Sequence, residues 1–195
     1  MDKFGTQLWA GAYRKVGSLT FASDVYILDK LAELDLGLTF GFGKLSLTGF
    51  AGVTFDFGNA NVYNLVVPQL ISAYSEDAFY AESWLQLFLG SPFADAGQNY
   101  FYTRDFVVFK VADELKLGGY VELTYQINDL SGVTVGPMTM GEKAGVLSLP
   151  VGAAASIGYG KDNTLLLFLG YETSRKTAPD SSDKIAGRFS YIHSW

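Results

Sequence analysis

The sequence contains no cysteine, which excludes a disulfide framework, a thiol nucleophile and any thiolate-held metal. It contains one histidine, His193, so zinc sites and HExxH-type chemistry that need several imidazoles are excluded too. Charge is scarce: Asp, Glu, Lys and Arg make up 17% of the 195 residues, where soluble domains carry about 25%. Long apolar runs are also missing. The longest is about five residues, Leu165 to Leu169, against the roughly 18 that a membrane-crossing helix requires. No 3.6-residue period, internal repeat or low-complexity tract competes for the chain.

What the sequence does have is apolar surface in small portions. Hydrophobic residues make up 49% and aromatics 15%, and mean hydropathy is +0.17. That much apolar surface with a net charge of −6 excludes a disordered chain. The acidic balance, 20 Asp and Glu against 14 Lys and Arg, argues against a nucleic-acid partner. Length and even composition predict one domain over 1–195. The start, Met1-Asp2-Lys3-Phe4, lacks the basic and apolar segments of a secretory leader. The chain is therefore cytosolic, or its numbering begins after a removed leader.

A period of two runs along most of the sequence. From Leu147 to Tyr159 the odd positions are Leu147, Leu149, Val151, Ala153, Ala155, Ile157 and Tyr159, whereas the even ones are small or polar. Such alternation describes a strand between two different environments, and its length matches a tilted strand crossing a bilayer. The same alternation marks 34–42, 45–57, 79–89, 115–127 and 165–174. Further strands are expected at about 5–15, 60–71, 99–111 and 184–195; Pro68 and Asp105 interrupt two of these patterns. Residues 19–28 fit a strand or part of a loop.

Connections alternate in length. Gly43-Lys44, Ala112-Asp113-Glu114 and Gly160-Lys161-Asp162-Asn163 are tight turns, while 90–98, 128–145 and 175–184 are long and polar. Short turns at one end and long loops at the other predict an all-β, antiparallel up-and-down transmembrane β-barrel. About ten strands are expected, with 12 or 8 as alternatives, because counting 19–28 gives an odd eleven that bacterial single-chain barrels avoid. The competing fold is a soluble sandwich or lipocalin-like barrel, which would expose its polar face and load it with charge. Here that face is mostly Gly, Ser, Thr, Ala, Tyr and Gln, better suited to a crowded interior, with Leu, Val, Ile and Phe turned to lipid.

The final residues Gly187-Arg188-Phe189-Ser190-Tyr191-Ile192-His193-Ser194-Trp195 end on an aromatic, with aromatics at alternate positions before it. This segment resembles the terminal insertion signal of bacterial outer-membrane β-barrel proteins. Trp195 stands where phenylalanine is usual, and His193 departs from the usual apolar or aromatic residue. The resemblance to a small porin-like class implies the bacterial outer membrane as location. It also implies the lipid bilayer and the barrel-assembly machinery as partners, with Phe189, Tyr191 and Trp195 as the insertion signal.

Candidate site residues are the polar side chains of the inward face. Asp56, Tyr80, Glu82, Gln86, Arg104, Lys110, Lys116, Tyr120, Glu122, Gln126, Glu172 and Arg188 would line the interior, with Thr124 beside them. Mixed charge and tyrosine suit a narrow path for small polar solutes or ions; the same groups could equally pair and fill the barrel. Lys116 and Glu122 are six residues apart on one strand, so their partners must come from neighbouring strands. His193 falls on the outward face as an interfacial anchor, which leaves no Ser-His-Asp mechanism. Glu82 with Glu122 makes a weak catalytic pair of unknown register. Glu76-Asp77 and Asp113-Glu114 read as solvated turns before divalent-cation sites, and Gly41-Phe42-Gly43 has no following helix to make a phosphate loop. The expected function is a small passive channel, with no enzyme activity and no cofactor. The alternatives are a non-conducting barrel acting through its loops and a soluble ligand-binding barrel.

Overall fold

The computed structural model describes residues 7–28, 31–57, 66–90, 97–132, 134–135, 138–139, 143–160, 163–174 and 184–193. Among these residues there is no helix, and so none that could cross a membrane. The strands are β1 (Gln7–Val16), β2 (Leu19–Leu28), β3 (Leu31–Phe42), β4 (Leu45–Asp56), β5 (Val66–Ser75), β6 (Phe79–Leu89) and β7 (Asn99–Ala112). They continue as β8 (Leu115–Gln126), β9 (Thr134–Val135), β10 (Met138–Thr139), β11 (Gly145–Ser148), β12 (Pro150–Tyr159), β13 (Asn163–Glu172) and β14 (Ile185–His193).

Twelve of them form one antiparallel sheet in the order β1 to β8, then β12, β13 and β14, with β11 also on β8; β9 and β10 make a separate small ribbon. All ten expected strand regions contain strands. Residues 19–28, which the pattern left open between strand and loop, are β2, in unbroken register with β1 and β3. The run expected over 147–159 carries a bulge at Leu147, where the register with β8 shifts, and is interrupted at Leu149, just before Pro150, which has no N–H to give and opens β12. Because both pair with β8, they occupy one line of the sheet, and the path has eleven positions. The strand expected over 60–71 is described from Val66 and continues to Ser75, and its ladder to β6 skips Val67 and Pro68.

The alternation sorts side chains as the pattern predicts. Leu36, Phe42, Leu169 and Phe189 lie on one face and are open, while Phe50, Arg104, Glu122 and Gln126 lie on the other and are buried. The sheet curls around this second face, so strands far apart in the order meet across it. The Trp9 ring of β1 is 6.0 Å from that of Trp84 on β6, and Phe168 of β13 meets Phe106 of β7 edge-on at 5.1 Å. The core is an inner cluster of Phe106, Val108, Tyr120, Ala154, Leu166 and Phe168, with Tyr80 against it. The inward face is thus more apolar at its centre than its Gly, Ser and Thr content foretold.

Since every neighbouring pair is antiparallel, β1 and β14, the first and eleventh positions, run in the same direction. Both run from the long-loop end to the tight-turn end, and no pairing joins them among the described residues.

Candidate functional site

The inner face holds three polar groupings. The first is acidic. Asp24 and Asp35 are direct partners across β2 and β3, and Glu33 lies two residues from Asp35 on the same face. All three are buried. Their register partners on the next strands outward are Gly11 and Gly52, and a methyl group at either glycine would overlap an aspartate Oδ1. Each aspartate therefore leans away from the other, over a residue with no side chain. The two N–H bonds of the Gln69 amide are both used: Nε2 donates to Glu33 Oε1 at 2.7 Å and to Asp35 Oδ1 at 2.6 Å. Its oxygen accepts from Trp84 Nε1 at 2.8 Å, and Gln86 Nε2 adds a bond of 3.2 Å to Glu33. Asp24 Oδ1 has no hydrogen-bond partner among the described residues.

The second grouping is cationic at its centre. Arg104 on β7 donates from Nη2 to Glu82 Oε1 at 3.0 Å, and Glu82 also accepts from the Tyr80 hydroxyl at 2.6 Å. The Arg104 guanidinium lies over the Trp84 ring at 5.0 Å and the Phe168 ring at 5.4 Å. Arg188 of β14 reaches across to Glu122 Oε2 at 3.3 Å and to the Tyr102 hydroxyl at 3.4 Å. Glu122 thus finds its partner on another strand, as the spacing required, although Arg104 is its register partner.

The third grouping ties the loop end together. Glu172 Oε1 accepts the Leu149 N–H at 2.7 Å and the Ser174 N–H at 2.8 Å, and its other oxygen accepts the Ser148 hydroxyl. Asn128 accepts the Asn99 N–H at 2.9 Å, donates to the Gly97 carbonyl at 2.9 Å and accepts from Gln126 Nε2 at 2.8 Å.

At the opposite end Lys44 meets Glu76 at 2.6 Å, and Lys110 bridges Asp77 at 3.4 Å and Asp113 at 3.3 Å. The acidic turns are thus matched by lysines. The lysine salt bridge and hydrogen bond hold the Glu76 carboxyl below its ordinary pKa. Lys116 donates to the Glu76 carbonyl at 3.2 Å.

The expected site residues are therefore dispersed among different tasks. Tyr80, Glu82 and Arg104 form one unit, Glu122 and Arg188 a second, and Gln86 joins the acidic row. Tyr120 packs in the aromatic cluster at 5.2 Å from Phe168. Gln126 and Glu172 organise the loop end, whereas Lys110 and Lys116 belong to the turn end. Glu82 and Glu122 are held by different arginines and form no carboxylate dyad. Phe189 and Tyr191 are exposed on the outer face, and Tyr191 stacks on Tyr159 at 6.2 Å. Trp195 and the side chains of Asp56 and His193 lie outside the described residues.

Asp24, Glu33, Asp35, Gln69, Trp9 and Trp84 are not among the expected site residues, although the alternation sets Asp35 and Trp84 on the polar face. Extending the β3 alternation backwards to Glu33, and accepting 19–28 as a strand, would have placed three acids on one face. Asp105 does point outward, as its place in line with Val107 implied, and accepts a hydrogen bond from Thr103. No protein-family model matches the chain, and no curated protein or solved structure was found to be similar to it.

Proposed function

We propose that this chain is a bacterial outer-membrane β-barrel with a filled interior, acting at its long-loop end. The observation that carries this is the inversion of the two faces. Arg104, Glu122, Gln126 and Phe106 are shut away, while Leu36, Leu169, Ile185 and Phe189 each leave more than 60% of their surface open. Such an apolar exterior suits hydrocarbon and would associate in water. Stacked or tilted ring pairs on the outer face near both ends, Tyr159 with Tyr191, Tyr74 with Phe79 and Phe101 with Tyr125, suit the two interfacial girdles of such a barrel.

A filled interior is supported by groups that meet in its middle. Phe106, Phe168, Tyr120 and Arg104 occupy the space that solute would need, and Thr54, Val67, Val108 and Gln126 have no accessible surface. The bonds through Glu172 and Asn128 fix the loop end, as a surface for a partner would require. The chain would reach the membrane through the barrel-assembly machinery and use no cofactor or catalytic group.

A second reading, the small passive channel for polar solutes or ions, is favoured by one feature. Three buried carboxylates, Asp24, Glu33 and Asp35, have no ion-pair partner among the described residues. A cation passing the inner face would be drawn to them.

Gel migration and planar-bilayer recording test these readings in turn. A heat-modifiable band in detergent is expected, whereas a monodisperse protein in plain buffer would refute the membrane reading. The filled barrel is expected to be electrically silent across ionic strengths. Reproducible unitary conductance altered by Glu122→Gln or Lys116→Gln would establish the channel instead.

A further inference from the structure

The two edges of the sheet do not fit one another, yet side chains of both meet the middle of the sheet. β1 and β14 run in the same direction, so joining them directly would demand the one parallel pairing in an otherwise antiparallel sheet. Both edges nevertheless reach across the inner face to neighbouring middle strands. Trp9 of β1 meets Trp84 of β6, and Arg188 of β14 meets Tyr102 of β7 and Glu122 of β8. Arg188 is also within electrostatic reach of Tyr26 on β2.

Between the edges the inner face is open to solvent. Tyr13 on β1 keeps 52% of its surface exposed and Ile192 on β14 keeps 40%, although both point inward, whereas inward Thr54 and Gln126 on central strands keep none. An interior that is closed along β3 to β8 is thus unroofed along one line.

We propose that the seam between β1 and β14 accepts one extended polypeptide strand, running from the tight-turn end to the long-loop end. Only a strand of that direction pairs antiparallel with both edges at once. A strand spacing of about 4.8 Å puts the edges about 10 Å apart when it is seated. About nine or ten residues would match the lengths of β14 and β1. Its outward positions should be apolar, like those beside it, and its inward positions small, because Trp9, Tyr13 and Arg188 already occupy that side. A second copy does not meet these requirements: standing in the same orientation in a membrane, it offers edges that also run parallel. That exclusion rests on the membrane reading, which the gel-shift experiment tests separately.

The absence of native cysteine makes the test direct. A peptide copying residues 19–28, which travel from the turn end to the loop end in β2, serves as the occupant, with Asp24→Ser, Tyr26→Ser and Leu28→Ser making all its inward positions small. Added to the chain refolded in detergent micelles, it is expected to bind one to one and to slow amide exchange in both β1 and β14. The same peptide carrying A22P, and D24P in place of Asp24→Ser, should bind at least about tenfold more weakly, because proline cannot give a ladder hydrogen bond.

With a cysteine added at its N-terminus, the peptide should link to Val16→Cys at the turn end of β1 and not to Leu8→Cys at the loop end. The reverse pattern, or no binding, overturns the proposal. Without peptide, the pairs Ala12→Cys with Gly187→Cys, Phe189→Cys or Tyr191→Cys should be bridged by a reagent spanning about 10 Å, without forming direct disulfides. A high yield of direct disulfide within one chain would show that the edges close on each other. Linked dimers of the single Ala12→Cys variant would show a second copy in the seam; either result overturns the proposal.

Discussion

Asp24 and Asp35 stand directly opposite one another on β2 and β3, and each carboxylate leans away from the other over a glycine. Like charges opposed across a strand pair repel, and the empty positions at Gly11 and Gly52 let them part without leaving the inner face.

Filling either empty position should therefore cost stability. Gly52→Ala and Gly11→Ala are expected to destabilise by about 1–3 kcal/mol, the usual range for overpacking. Gly49→Ala, on the outer face with open space around its backbone, should be close to neutral. Urea unfolding of the three variants in lipid vesicles, followed by tryptophan emission, measures the difference.

Gln69 binds two carboxylates with one amide, so losing it takes a donor from both and leaves Glu33 only the longer bond from Gln86. Gln69→Leu keeps the volume and removes the donors, and a loss of about 1–3 kcal/mol per unsatisfied carboxylate is expected. Combined with Glu33→Gln the penalty should shrink, since one of the stranded charges is gone. Equal losses in the single and double variants would contradict the coupling.

The Arg104 ion pair is more deeply placed than that of Arg188. The side chains of Arg104 and Glu82 are 7% and 15% exposed, against 33% for the Arg188 side chain. Arg104→Met leaves the Glu82 carboxylate buried with only Tyr80 as partner, and a loss of about 3–5 kcal/mol is expected. Arg188→Met should cost less because the Arg188 side chain is itself one-third open to water, which screens its bond to Glu122. Unfolding midpoints for the two variants decide the order.

At the turn end, the hydrogen bond and charge of Lys44 stabilise the ionised Glu76, and Tyr74 adds a second hydrogen bond. A depressed folded pKa means that this contribution is present above the ordinary glutamate pKa. It is lost as pH falls through the lower, folded value. Carbon-detected NMR titration of Glu76 should therefore show a midpoint below that of a free glutamate. Lys44→Met should move the midpoint upward, and an unchanged midpoint would deny the lysine this role.

Much of the sheet was legible in the sequence because side-chain direction in a strand depends only on residue parity. Leu115 to Ile127 and Phe79 to Leu89 announced both faces of β8 and β6, and the tight turns named their neighbours. The site was less legible. Lys116 and Glu122 could be recognised as inward groups, yet their partners, the Glu76 carbonyl and Arg188, lie 40 and 66 positions away in the sequence. Pairing across a curled sheet depends on which strands face each other, and local alternation carries no record of that. Asp24 was missed because Ala22, Ser23 and Asp24 weaken the alternation of 19–28. The bulge at Leu147 preserved the apolar period, so no local signal marked it.

By itself, then, the sequence determined which residues lie on each face, the antiparallel order of neighbouring strands and the contrast between the two ends, all consequences of a two-residue period and turn length. Only the tertiary structure decided that the two aspartates lean apart, that Arg104 takes Glu82 over its register partner Glu122, and that Phe106, Tyr120 and Phe168 cluster on the inner face. It also decided that the sheet ends on two strands of the same direction. These depend on curvature and on the parity of the whole strand set, which physical contact between distant segments establishes and a single strand cannot encode.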